Sequence, residues 1–219
     1  VAAASLLEAH ALVHPGPATP EGGLTQRLFA ALRQQRPGST FSNFAVPHAT
    51  MGDVLRHQIP RLRGVQCDLV LLIAGANDLR YTGDRIVFAR RLRHLITSLR
   101  EAVPQALIIA GGMPDVTQTA GVPKLAKPAV ARMCARLNET MREIAAHHAD
   151  GFIDLFAYTS TPQCDGEPYL CADGYHPNDV GYAQIAQRSL PAILEVLRSL
   201  DTASKASPGD GRADSATRS

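Results

Sequence analysis

The stretch "DLVLLIAGAND", residues 68–78, frames the reading of the whole chain. Leu69 to Ala74 contains no polar residue, so a strand formed there is apolar on both faces. A strand with one wet face alternates apolar and polar residues, whereas one without alternation is covered twice, as in a parallel sheet between layers of helices. The run closes on Gly75, Asn77 and Asp78, a turn composition at what should be the strand's carboxyl end.

Working outward, short apolar runs alternate with helical periodicities. Strands are expected at Phe41 to Val46, Asp68 to Gly75, Ala106 to Ala110 and Phe152 to Phe156. Helices are expected at Gly23 to Gln34, Met51 to Leu62, Arg85 to Val103, Pro128 to His148 and Val180 to Leu200. In the third of these, Ile86, Phe88, Leu92, Leu95, Ile96 and Leu99 form the apolar face. Pro128 suits a first helical turn, where no backbone donor is needed. The alternation of strand and helix is that of an α/β fold with a parallel sheet. Residues 201–219 lack periodicity and are expected to be a disordered tail behind a domain spanning 1–200.

The chain has 219 residues, enough to bury roughly 70% of its unfolded surface. Its net charge of +2 and the lack of a basic face interleaved with aromatics argue against nucleic acid as a partner. Arg supplies 19 of the 22 basic residues, which reads as genome composition rather than phosphate binding. The longest apolar run is too short to cross a bilayer. No basic segment followed by an apolar stretch opens the chain, so no secretory signal is visible, and the compartment stays open.

Cys67, Cys134, Cys164 and Cys171 form no Cys-x-x-Cys pair and have no zinc-finger spacing to histidines. Cys67 and Cys134 read as buried thiols; Cys164 and Cys171 bracket one loop and would bridge in an oxidising compartment. His147 and His148 suit a helix C-terminus, where imidazolium meets the negative end of the dipole; the other reading is a metal ligand pair. There is no His-Glu-x-x-His, glycine-rich phosphate loop, dinucleotide fingerprint or Gly-x-Ser-x-Gly elbow.

In parallel α/β sheets ligands bind beyond the carboxyl ends of the strands. Asn77 there is either a turn residue or an amide donor aimed at a developing oxyanion. "CADGYHPNDVGYAQIA", residues 171–186, sets Asp173 three residues before His176 at the mouth of a helix. Asp173 either makes a local turn or orients His176 as a catalytic base.

These segments resemble the SGNH, or GDSL-type, esterases and lipases. "AGAND" (74–78) is similar to that family's third block and "DGYHPNDVGYAQIA" (173–186) to its fifth. "NFAVPHAT" (43–50) resembles the second block, and "MPDVTQ" (113–118) the loop after the fourth strand. The family's first block, Gly-Asp-Ser-Leu, falls on Ala3, Ala4, Ser5 and Leu6, and its next glycine on Ala9. The second-block glycine falls on His48.

The resemblance implies a three-layer α/β/α sandwich of flavodoxin-like kind, with a parallel sheet of about five strands. It implies ester hydrolysis by a triad of Ser5, His176 and Asp173. The oxyanion would be held by Asn77 and the backbone N–H groups of Ser5 and His48, with no cofactor or metal. The substrate would be a small-molecule, lipid or glycan ester. Ser5 has a second reading as the N-cap of a helix in "LLEAHALV". Only Val1 to Ala4 precede it for the first strand, and Ala is a poor strand former. Ala3, Ala4 and His48 support one alternative, a degenerate relative that binds an acyl or glycan ligand without turnover; an acyltransferase on the same machinery is a third possibility.

Overall fold

The computed structural model describes residues 3–8, 23–160 and 169–206. Five parallel strands form one sheet: β1 (Ala3–Glu8), β2 (Thr40–Asn43), β3 (Leu69–Ile73), β4 (Leu107–Gly111) and β5 (Gly151–Ile153). Their order is β2-β1-β3-β4-β5. The helices are α1 (Leu24–Gln35), α2 (Met51–Asp53), α3 (Arg85–Ala102), α4 (Lys127–His148), α5 (Leu155–Ser160) and α6 (Asp179–Ala206). This is the α/β sandwich expected from the alternation of apolar runs.

β3 shows why the sheet must be covered twice. Leu69, Leu71 and Ile73 join Leu24, Leu28 and Leu32 of α1 and Ile185, Ile193 and Leu197 of α6 in one core. Val70 and Leu72 join Met51, Leu62, Phe88, Leu95, Leu137 and Met141 in the other. Successive strand residues point to opposite faces, so one apolar run supplies both cores. Each fully buried Leu, Ile or Phe contributes about 1.5–3 kcal/mol relative to exposure.

Several boundaries differ from expectation for identifiable reasons. The chain at 152–156 is not one strand, because Asp154 ends β5 and starts α5. Its Oδ1 accepts the Ala157 N–H at 2.9 Å, a cap that turns Leu155 and Phe156 into helix. The expected helix at 51–62 is α-helical only in its first turn. It widens to a π-helical segment at Val54–Gln58 and tightens to a 3-10 turn at Ile59–Leu62, where Pro60 sits near the start of the turn. Strand β2 is shorter than expected, ending at Asn43, whose side chain takes the Ala45 N–H and starts a turn. Ile86 lies on the wet side of α3 at 79% exposure, while the rest of the expected apolar face is buried. The helix α6 runs six residues past the expected domain limit at 200, to Ala206; the remainder of the expected tail, 207–219, lies outside the described residues.

The strand order fixes where a ligand can sit. From β1 the chain moves outward to β2, then crosses back to β3 on the other side of β1. The helices that follow β1 and β3 in the chain, α1 and α3, pack in the cores on opposite faces of the sheet, and such a switch point is where parallel α/β sheets bind ligands, beyond the carboxyl ends of the strands. Among the described residues no helix is long and apolar enough to cross a membrane.

Candidate active site

Three loops at the carboxyl edge of the sheet carry the candidate residues. After β3, Gly75 turns the chain with a positive φ of 118°. A side chain there would bring its Cβ to 3.0 Å from the Phe88 ring, so glycine is required both for the turn and for the space. The turn places Asn77 and Asp78 inward, and both are buried. Asn77 donates from Nδ2 to the Ala49 carbonyl at 3.0 Å. Asp78 accepts the Met51 N–H on Oδ2 at 2.9 Å, and its Oδ1 lies 3.6 Å from the Arg91 guanidinium. Burial pushes the Asp78 carboxyl above its ordinary value; the Met51 N–H and Arg91 only partly offset this.

The loop that these two residues hold is the one after β2. Pro47 and His48 form the centre of a turn closed by the Ala49 N–H on the Val46 carbonyl at 3.2 Å. His48 has φ 61°, alone among the described non-glycine residues in being positive. Proline second and a positive φ third is the pattern of a type II turn. The question of whether His48 can adopt the backbone a glycine would take is thus answered: it does, at a cost of roughly 1–2 kcal/mol for a residue with a Cβ. Asn77 and Asp78 restrain Ala49 and Met51, the first and third residues after His48, and so help to hold this strain. The His48 N–H has no acceptor among the described residues.

The third loop is a small antiparallel hairpin before α6. Leu170 and Pro177 bridge its arms, and the Cys171 N–H donates to the His176 carbonyl at 2.8 Å. Gly174 makes its tip with φ 62°, and its carbonyl accepts the Ala120 N–H at 2.8 Å, which docks the hairpin on the loop after β4. Within the hairpin the His176 Nδ1 and Asp173 Oδ2 are 2.6 Å apart. Asp173 Oδ1 also accepts the N–H groups of Tyr175 and His176, at 2.9 and 3.1 Å. Both readings of Asp173 are therefore satisfied at once, since one oxygen makes the turn and the other faces the imidazole. Burial alone would raise its carboxyl, but the hydrogen bonds from Tyr175 and His176 outweigh it and hold the group below its ordinary value. The Tyr175 ring packs edge-on to the imidazole at 4.9 Å. Asn178 closes the hairpin and starts α6, taking the Gly181 N–H at 3.0 Å.

His176 borders an apolar cleft of about 810 Å³, counted with its open mouth. Leu24, Ile73, Leu155, Tyr182 and Ile185 form its walls, with Asp115 and Gln118 from the loop after β4 on the polar side. His48 and Asn77 are not among the residues that line it; their chain neighbours Ala49 and Ala76 belong to or pack against the core under α3.

Ser5 lies inside β1, paired with Ser42 of β2 and Val70 of β3. The strand continues three residues beyond it, to Glu8 opposite Ile73. β1 thus neither ends at Ser5 nor turns into a helix there; Leu6 to Glu8 are strand, which removes the N-cap reading. Residues 9–22, and Cys164 with them in importance for the possible bridge, lie outside the described residues. The Cys171 thiol contacts the Pro177 carbonyl at 3.4 Å, and burial, with Asp173 and Asp179 nearby, raises it above its ordinary value. Cys134 is buried as expected, its thiol pushed up to about 11 by burial and then by Asp115, whereas Cys67 is half-buried. His147 ends α4 with its ring on the Glu143 carbonyl at 2.8 Å. Among the described residues no group of three or more His, Cys, Asp or Glu is placed to hold a metal ion.

Sequence reasoning passed over Asp78 and Tyr175. Asp78 read as a turn residue because nothing local marks its partner, Met51, which lies 27 positions earlier. Tyr175 carried no signal beyond its place next to His176.

The architecture has many solved counterparts. An extracellular lipase from Streptomyces rimosus superposes with a TM-score of 0.64 at 20% identity, over 91% of this chain and 99% of that one. A GDSL-like lipase from Parabacteroides merdae gives 0.70 at 16%, over 87% and 94%. The psychrotrophic esterase EstA of a Pseudoalteromonas species gives 0.64 at 18%, over 89% and 98%. No curated protein sequence matches significantly. The family model of the GDSL-like lipases and acylhydrolases matches residues 12–184, beginning seven residues after Ser5 and taking in the second and third blocks and all but the last two residues of the fifth. On that match, which spans more than half of its length, the chain belongs to the GDSL-like lipase/acylhydrolase family and so to the ester-hydrolysing enzymes.

Proposed function

We propose that the chain cleaves a carboxylic ester by acyl transfer to Ser5, with His176 as general base and Asp173 as the group that orients it. The observation that carries this reading is the 2.6 Å contact between His176 Nδ1 and Asp173 Oδ2. With Nδ1 held by a carboxylate, Nε2 is the nitrogen left to take a proton from a hydroxyl. Ser5 Oγ attacks the acyl carbon as its proton passes to Nε2. The tetrahedral oxyanion is met by the Asn77 amide and the His48 N–H; the Ser5 N–H, expected as a third donor, lies in a strand paired on both sides. Collapse expels the alcohol, which takes the proton from His176. Water then repeats the sequence and frees the acid. The apolar cleft beside His176 suits the acyl or other apolar part of a small-molecule, lipid or glycan ester.

A second reading, a site that binds an acyl or glycan ligand without turning it over, is favoured by one observation. Ser5 pairs opposite Val70, three residues before the end of β1, and not at the strand's carboxyl edge. A fluorophosphonate probe and a short-chain model ester separate the two. Covalent labelling that Ser5→Ala and His176→Ala both abolish supports the triad. Labelling that survives Ser5→Ala assigns the nucleophile elsewhere, and ester binding without labelling supports the second reading.

A further inference from the structure

We infer that Asp78 is a positioning residue for the oxyanion loop, fixing the His48 N–H by holding the backbone of Met51; this rests on the proposed oxyanion role of His48. The accounting of backbone donors in this loop leads there. The Ala49 N–H closes the turn onto Val46, and the Thr50 N–H goes to the Asp53 carboxylate. The Met51 N–H goes to Asp78. That sequence of bonds leaves the His48 N–H for a ligand. On the acceptor side, the Ala49 carbonyl is taken by Asn77.

Asp78 is a poor choice if holding a loop were all that was needed. It is fully buried, and its Oδ1 has no hydrogen-bond donor within reach and only Arg91 of α3 nearby, at 3.6 Å. An uncompensated carboxylate in a core is costly. What it supplies is a charge-assisted hydrogen bond to a backbone N–H three residues from a residue held at positive φ. Asn77 and Asp78 are consecutive, and they hold Ala49 and Met51, the residues on either side of Thr50. One turn after β3 therefore sets the conformation of the turn after β2. With Arg91, the support extends from α3 through Asp78 to His48.

The test compares Asp78→Ala, Asp78→Asn and Met51→Pro in the full chain, with turnover expressed per site titrated to completion by the fluorophosphonate. Asp78→Ala deletes the acceptor. Met51→Pro deletes the donor at a first helical position, after a Thr50 whose backbone is already extended (φ −86°, ψ 169°), where the proline backbone fits; Met51→Ala, which keeps the N–H and loses the same buried side chain, is its control. Asp78→Ala and Met51→Pro should each lower kcat at least tenfold and leave KM within about threefold, the split expected when an interaction made in the transition state is lost. Asp78→Asn keeps a carbonyl acceptor without the charge and should recover only part of the kcat that Asp78→Ala and Met51→Pro lose. A merely structural role would change the fraction of titratable sites and the melting temperature but not kcat per site. If Asp78→Ala does not fold, Met51→Pro and Asp78→Asn decide. Per-site kcat within twofold of the parent in the variants lacking the bond would overturn the inference, as would an Asp78→Asn as impaired as Met51→Pro. A parent that neither labels nor hydrolyses an ester defeats the proposed function instead, so the two failures are distinct.

Discussion

The hairpin at 169–178 is held together by partners two to nine residues apart, whereas the turn at 46–51 is held by partners 27 and 28 positions away. The hairpin carries a half-exposed acid and imidazole and docks on the domain through the Ala120 N–H. The turn carries a strained His48 above a buried amide and a buried carboxylate. A base must exchange protons with solvent and substrate, so a local, wet, self-satisfied hairpin serves it. An oxyanion donor must not reorient as charge develops, and long-range restraint from a packed strand end serves that need.

The largest effect expected from separating the two halves is at Asp173. Asp173→Asn replaces the acceptor facing Nδ1 with an amide that can present its NH₂ group and disfavour the required tautomer. It should lower kcat on the order of a thousandfold or more, while the hairpin backbone, whose turn an Asn can also make, keeps its shape. Steady-state kinetics with a circular-dichroism control checks this; a loss under tenfold would mean that His176 does not rely on Asp173.

The two carboxylates also titrate in opposite directions, which gives the halves opposite pH signatures. The Asp173 carboxyl is lowered in the fold, so its stabilisation is present above the unfolded value and is lost as pH falls through the folded one. The Asp78 carboxyl is raised, so its contribution is most favourable below the unfolded value and is lost as pH rises through the folded one. Relative to Asp173→Asn, the parent should therefore gain stability as pH rises from strong acid. Relative to Asp78→Asn it should lose stability with rising pH, in a window that runs from the ordinary carboxylate value up to the raised folded one. Urea unfolding of the three proteins across the acid range measures both slopes, and slopes of the same sign would refute the contrast.

The smallest effect is expected at His48. Because its backbone already takes the conformation favoured by glycine, His48→Gly should relieve roughly 1 kcal/mol of strain, raising the melting temperature by about 2–4 °C for a domain of this size. Its kcat should stay within a small factor. A large rise in kcat would show that the imidazole, not the backbone, had been limiting turnover.

The same contrast explains what could be read from the sequence. The base pair was legible because Asp173 and His176 are three apart, within reach of one turn, and because helix α6 announces itself after Asn178. The sheet was legible from β3, whose unbroken apolar run needs two covers. Asp78 was not legible, since its partner is fixed only once β3 and α2 are packed. Phe152 to Phe156 was misread because a short apolar run does not distinguish strand from helix, and Asp154 acts as a cap only through its contact with Ala157. The register of Ser5 was hidden for a similar reason. An alanine-rich strand carries no alternation to fix its pairing, which here comes from Thr40 to Asn43 and from β3.

The packing of α1 against α6 has a consequence for how the chain assembles. The first core helix buries its Leu24, Leu28 and Leu32 against Ile185, Ile193 and Leu197, and Arg27 and Arg36 reach Asp179 and the Leu197 carbonyl. These partners are separated by about 150 residues or more, and such distant pairings close slowly. During synthesis α1 can pack on the sheet, but its apolar stripe stays only partly covered until α6 has been made. The segment that brings α6 also brings Asp173 and His176 immediately before it. The event that closes the hydrophobic core is then also the one that delivers the base, so a nascent chain with an open core is an inactive one.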